Sequence, residues 1–257
     1  MLGALGAALF GLESREVRVD EPVVLHDAPS ATSVVAVETE RMADIPAGDF
    51  KMGSSDFENE KPVHPVTLKA FRMDVTEVTT EAYAGCVSAG KCTPADTGEY
   101  CNARQEERRK HPINCVDWSQ ATAYCEWAGK RLPTEEEWEY GARGTEGRKY
   151  SWGNQDAAGQ LCWNGTGNDL GKGNRRNTCV VGSYPAGAFG LMDMAGNVWE
   201  WTSSGYSSDY GKPRDDAVRV NRGGGWYSDD PVSVRGAERG RSAPTGRYDS
   251  VGFRCAR

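Results

Sequence analysis

The sequence predicts a loop-rich α+β domain with few, short helices. Three observations predict it. Glycine is abundant, at 31 of 257 residues, and favours turns over long helices. The apolar runs are short: strand-like pieces early in the chain, then three helix-length amphipathic stretches. Eight cysteines, an even number in a loop-rich chain, suggest disulfides and an oxidising compartment. Eight Trp and ten Tyr supply core volume through large side chains.

The elements follow in order. Met1–Leu12 is apolar but too short to span a bilayer, and it lacks the Lys or Arg that opens a secretory signal. It reads as the end of a longer signal or anchor, or as a plain tail. Glu13–Arg41 carries Pro22, Pro29, Ser30 and Ser33 and reads as a linker with a short strand at Ser33–Val37. Residues 1–41 are therefore expected to form an apolar segment and linker, and residues 42–257 the domain. Ile45–Gly53 predicts a hairpin, two short apolar runs around Ala47-Gly48-Asp49. Val66–Leu68 and Phe71–Met73 predict strands. A first helix is expected from the Thr79 N-cap to Ala89, with Gly90 as terminator and Ala82, Tyr83, Cys86 and Val87 on one face. A second runs from Trp118 to Ala128, ended by Gly129, with Ala121, Tyr124, Cys125 and Ala128 as its buried stripe. The third starts most clearly: Thr134 and Glu137 form a capping box, and Glu135 and Glu136 suit the positive end of the helix dipole. After Arg143 the chain turns to Gly, Asn, Asp and Ser, with no repeat, heptad pattern or transmembrane run. Loops this long are functional or are tied down by bridges and metals.

A net charge of −7 argues against nucleic acid as a partner. Arg235, Arg239, Arg241 and Arg247 cluster late in the chain and are expected to pair with acids such as Glu238 and Asp249. No two cysteines form a Cys-x-x-Cys pair, so a zinc ribbon or thioredoxin-type site is unsupported. His26, His64 and His111 are the only histidines; they read as structural or surface residues.

Four motifs carry more. They are Arg131-Leu132-Pro133-Thr134-Glu135-Glu136-Glu137-Trp138-Glu139, Asp193-Met194-Ala195-Gly196-Asn197-Val198-Trp199-Glu200-Trp201, Arg222-Gly223-Gly224-Gly225-Trp226 and Gly252-Phe253-Arg254-Cys255. Their order and spacing resemble the formylglycine-generating enzyme (sulfatase-modifying factor) family. The resemblance covers residues 42–257 and implies a C-type-lectin-like fold with small mixed sheets. It also implies a Cys125–Cys255 disulfide. The simplest completion joins near neighbours: Cys86–Cys92, Cys101–Cys115 and Cys162–Cys179.

Asp193, Asn197 and Glu200 are hard oxygen donors around a Gly196 turn, the donor type that calcium takes. The resemblance implies a calcium ion held by the Asp193 and Glu200 side chains and the Gly196 and Val198 carbonyls. The family usually has Asn where Asp193 stands, an exchange that keeps an oxygen donor. A second calcium is implied at Asn164, but Asp169 is too close and residues 170–178 align poorly. A Cys162–Cys179 bridge would be a substitute constraint there.

Members of the family oxidise a substrate cysteine with two cysteines that follow Arg-Gly-Gly and bind copper. Here those positions fall on Ser228 and Ser233, and Gly225 replaces the usual Ser. Copper(I) selects soft thiolates, so no copper is expected. A nucleophilic serine would need an adjacent base and an orienting group; the sequence gives no specific support to an enzyme built on Ser228, Asp229 and Asp230. The expected function is that of an exported, non-oxidising module, held by calcium and disulfides. Its groove, with Arg222, Trp226, Tyr227, Tyr206, Tyr210 and the late arginines, would bind a peptide, glycan or protein. The alternative is an active oxidase that converts a sulfatase cysteine to formylglycine using thiols placed elsewhere.

Overall fold

The computed structural model describes residues 41–257. The apolar Met1–Leu12 segment, the linker with its expected strand at Ser33–Val37, and His26 lie outside the described residues.

β1 (Met42–Ile45) pairs antiparallel with β4 (Phe71–Asp74). β2 (Gly48–Met52) pairs antiparallel with β3 (His64–Leu68). The expected hairpin across Ile45–Gly53 does not form, because its two runs belong to different two-stranded sheets. Pro46 has no N–H to give a ladder, and the chain turns there to bring Gly48 against Tyr140. A Cβ on Gly48 would lie 2.4 Å from the Tyr140 hydroxyl oxygen.

The three helices form where capping chemistry places them. α1 (Thr80–Ser88) is capped by Thr79, whose hydroxyl accepts the Ala82 N–H. α2 (Trp118–Trp127) starts with a reciprocal box between Asp117 and Gln120 that the sequence reading did not register. α3 (Glu135–Arg143) has the expected box: the Glu137 N–H donates to Thr134 Oγ1 at 3.2 Å, and the Thr134 N–H to Glu137 Oε2 at 2.9 Å.

The largest sheet was not foreseen. β5 (Trp199–Tyr206), β6 (Asp215–Arg222), β7 (Arg239–Ser242) and β8 (Val251–Gly252) lie in the order β7-β6-β5-β8. β5 runs antiparallel to β6 and parallel to β8, so the sheet is mixed. β5 is covered on both faces and buries Glu200, Thr202 and Ser204 along with Trp201. These buried polar side chains erase the apolar–polar alternation that marks a half-exposed strand. Each is hydrogen-bonded: Thr202 Oγ1 donates to the Val220 carbonyl at 3.1 Å, and Ser204 Oγ accepts the Glu135 N–H at 3.0 Å.

Core residues gather in three clusters. Tyr83, Tyr124, Trp201 and Phe253 pack beneath α1 and α2. Ile45, Phe50, Met73, Trp138 and Tyr140 join β1, β2 and β4 to α3. Tyr150, Leu161, Trp163 and Val234 underlie the long loops.

All eight cysteines are paired as expected: Cys86–Cys92, Cys101–Cys115, Cys125–Cys255 and Cys162–Cys179. The Cys125–Cys255 bridge spans 130 residues. It ties α2 to the terminal segment, where Ala256 bridges Met73 and Arg131.

Candidate functional site

Asp193 and Asn197 both adopt the left-handed conformation, at φ 57° and 55°, on either side of Gly196 at φ 75°. The turn is fixed by its neighbours. Asn197 Oδ1 accepts the Cys179 N–H at 2.9 Å, and the Asn197 N–H donates to the Cys162 carbonyl at 2.7 Å. A Cβ on Gly196 would lie 2.4 Å from that same carbonyl oxygen. Asp193 Oδ2 accepts the Gly182 N–H at 2.5 Å. Val198, whose carbonyl is the fourth predicted ligand, follows in the same turn and is fully buried.

The structure brings a third carboxylate to Asp193 and Glu200. Glu77, between β4 and α1, is fully buried, and neither of its oxygens has a hydrogen-bond donor. Burial pushes its carboxyl well above the ordinary range, and the neighbouring Asp193 and Glu200 push it further. Burial also raises Asp193. Glu200 is better served: Trp138 Nε1 donates to it at 2.7 Å, and Arg254 grips both oxygens at 2.7 Å. One guanidinium therefore faces three buried acids. Like charges this close do not all ionise without a further cation, so either a proton or a metal must balance them. Among the described residues no three His, Cys, Asp or Glu side chains close on a single point. A calcium ion, which takes six to eight oxygens, would draw the rest of its shell from main-chain carbonyls. Glu77 lies too far from this turn in sequence for any spacing rule to reveal it.

The loop after Trp163 is built differently. Asn164 Oδ1 accepts the Arg175 N–H at 2.8 Å, and its main-chain carbonyl accepts the Gly173 N–H at 2.9 Å. The buried Arg175 guanidinium donates to the Trp163 carbonyl at 3.0 Å, to Cys179 Sγ at 2.9 Å and to the Asp169 carboxylate. Thr178 points to Asn102 and His111 instead.

Arg222 is not a groove residue. Its guanidinium is fully buried and pairs with Glu135 Oε1 at 2.7 Å and Glu139 Oε2 at 2.6 Å. Arg239 pairs with Glu135 at 2.6 Å, and Arg143 with Glu139 at 2.5 Å. Tyr210 lies against the same carboxylates, and Tyr206 lies under Arg239 and Arg241. The network fixes α3 against β6 and β7; none of its arginines is free for a ligand. Arg235 pairs with Glu238 as expected, but its tightest partner is Glu60, at 2.6 Å. Arg247 pairs with Asp96 and Asp117 rather than Asp249. Sequence position could not separate these buried arginines from surface ones.

What remains is an aromatic ledge. Tyr227 is 48% exposed, and its hydroxyl accepts the Trp199 indole N–H at 3.1 Å. Trp226 packs edge-on against Tyr227 and lies 5.6 Å from the Tyr100 ring, a contributor the sequence reading missed. Ser228 sits beneath, buried, its hydroxyl accepting the Gly225 N–H at 3.2 Å and its carbonyl accepting the Asn164 N–H at 2.8 Å. Ser233 is half-buried in the short 3-10 turn Pro231–Val234. No base is hydrogen-bonded to either hydroxyl among the described residues. His111 is tied to Thr178, and His64 to the Pro62 carbonyl.

This constellation on a mixed-sheet, loop-rich scaffold defines a class before any single protein. The sulfatase-modifying factor enzyme 1-like domain profile matches residues 28–257, and the chain belongs to that family. It is 34% identical to the formylglycine-generating enzyme of Streptomyces coelicolor, over 82% of this chain and 87% of that protein. It is 32% identical to the inactive C-alpha-formylglycine-generating enzyme 2 of Bos taurus, over 85% and 88%. Among solved structures, PvdO from Pseudomonas aeruginosa superimposes with a TM-score of 0.71 at 30% identity, covering 85% of this chain and 94% of that one. Treponema denticola variable protein 1 follows at 0.68 and 25%, covering 84% and 94%. Among the described residues no helix is long and apolar enough to cross a membrane.

Proposed function

We propose that this chain is a non-oxidising member of its family, an exported module that presents the Trp226–Tyr227 ledge to a peptide, glycan or protein ligand. The observation that carries the reading is the state of the cysteines. All eight are in disulfides, and serines stand at both positions where the family's paired thiols would lie. Serine hydroxyls are hard, weak ligands for copper(I). Ser228 is further committed to the Gly225 turn.

Calcium belongs to the same proposal. Asp193 and Glu200, with the Gly196 and Val198 carbonyls, would hold the ion, and the buried Glu77 would add negative charge beside it. The ion's role is charge balance: it replaces the proton that the crowded acids otherwise share, and it ties the start of α1 to the turn before β5. Four disulfides support export, because such bridges persist in oxidising compartments.

The test combines two measurements on the full chain. Alkylation with intact mass should find no free thiol. Incubation with a cysteine-containing sulfatase peptide, copper and oxygen should leave the peptide unchanged. Two or more free thiols, with conversion of the peptide cysteine to formylglycine, would overturn the reading. An active oxidase, the activity named for the Streptomyces relative, would then be the function.

A further inference from the structure

The family resemblance implies a second calcium at the loop after Trp163, and the residues there do not fit one. We propose that Arg175 is a resident cation that takes the ion's role, so that this wall of the ledge is held without metal. The oxygens a second ion would need are already spent. The Trp163 carbonyl accepts from Arg175 Nε at 3.0 Å, the Asp169 carboxylate receives Nη2, and Asn164 Oδ1 accepts the Arg175 main-chain N–H at 2.8 Å. The last arm, Nη1, reaches Cys179 Sγ at 2.9 Å. Every donor group of Arg175 thus has a partner, and its side chain is only 5% exposed.

The downstream acid that would complete a metal shell is missing. Thr178, near the end of this stretch, is turned away to Asn102 and His111. A permanent guanidinium cannot be removed by a chelator and does not deprotonate in a protein. It also supplies directed donors, which suit a carbonyl and a carboxylate set in fixed places.

The loop bears directly on the ledge. The Asn164 N–H donates to the Ser228 carbonyl, one residue from Tyr227. The Cys162–Cys179 bridge pins the two ends of the loop, and Arg175 organises its interior. The wall therefore keeps its shape where calcium is scarce, even if the Glu77–Asp193 turn loosens. This inference goes beyond the calcium proposal and does not depend on it.

Hydrogen exchange by mass spectrometry on the full chain, with calcium and with EGTA, tests it alongside calcium stoichiometry by equilibrium dialysis. At most one ion should bind per chain, and exchange in residues 163–180 should be the same in both conditions. Arg175→Gln should raise exchange in that segment about tenfold or more. Asp169→Asn, which alters only a surface carboxylate, should raise it more modestly, and serves if the first variant fails to fold. Binding of two ions, or chelator-sensitive exchange in 163–180, would overturn the inference. So would unchanged exchange in both variants. Binding of no ion would remove the calcium proposal and would agree with this one.

Discussion

Arg254 holds Glu200 with two charge-assisted hydrogen bonds, Nη2 to Oε1 and Nε to Oε2, both 2.7 Å. The pair joins the start of β5 to the terminal Gly-Phe-Arg-Cys motif, and both side chains are essentially buried. The remaining Arg254 donors cap the carbonyls of Asp74, Val75 and Met192. One guanidinium thus ties three other segments of the chain together around the acidic turn.

Arg254→Gln should therefore be among the costliest single changes in the domain. It removes the charge that faces Glu200 and the acids beside it. Breaking a buried pair from one side costs about 3–5 kcal/mol. Thermal unfolding should show a drop in Tm of roughly 10 °C for a domain of this size. A shift under about 2 °C would mean that the pair contributes little.

Calcium should raise the Tm of the wild type, and EGTA should lower it. At a hundredfold excess over Kd the gain is about 2.7 kcal/mol. The effect has a pH sign. Without the ion, burial and the neighbouring Asp193 and Glu200 favour the protonated form of Glu77 by raising its carboxyl well above the ordinary range. That contribution is present at low pH and is lost as pH rises through the folded value. Calcium displaces the proton, so its stabilising effect should grow from pH 5 to pH 7.5. Glu77→Gln should flatten the pH dependence of the response, because the competing proton is gone. Melting curves that coincide in calcium and EGTA at both pH values would refute the assignment.

Glu135 makes the opposite prediction for acid. Burial alone would raise its carboxyl, but Arg222 and Arg239 outweigh burial and hold it below the ordinary range. Glu60 is lowered in the same way by Arg235. Their stability contributions are fully present above the unfolded value, about 4.3, and are lost as pH falls through the folded values. Urea midpoints should stay level down to about pH 5 and then fall steeply. Glu135→Gln should flatten part of that fall while lowering stability at pH 7 by about 3–5 kcal/mol, because two buried guanidiniums lose their partner.

Tyr227 and Arg222 should separate ligand contact from scaffold. Tyr227→Ala alters an exposed ring and should leave stability within about 0.5 kcal/mol. Arg222→Met should destabilise the domain by several times that, because Glu135 and Glu139 lose their shared partner. Denaturant midpoints for the two variants read this directly. Equal losses would show that the ledge is part of the core.

The sequence made some of this legible and hid the rest for physical reasons. Helix ends were readable because capping is local chemistry: Thr79, Thr134 and Glu137 act within one turn. The Cys125–Cys255 bridge followed from resemblance, not from spacing. β5 was unreadable because Glu200, Thr202 and Ser204 are buried and hydrogen-bonded, which defeats any polar-outside rule. Nothing local marks Arg222 as buried, because its acids, Glu135 and Glu139, lie on a helix distant in sequence. Glu77 escaped notice because its partners are brought together only by the fold.

The terminal segment, residues 251–257, has a consequence for synthesis. β8 adds to β5 in parallel, Phe253 enters the first core cluster, Cys255 bridges to α2, and Ala256 spans two distant strands of chain. A nascent chain lacking these residues has no means to seal that core, however long it waits. Closure must follow synthesis of residues 251–257, so a nascent chain stopped before them would present an open, thiol-bearing half-product. Chaperones and disulfide catalysts would meet the domain in that form, and truncation before residue 251 would keep it there.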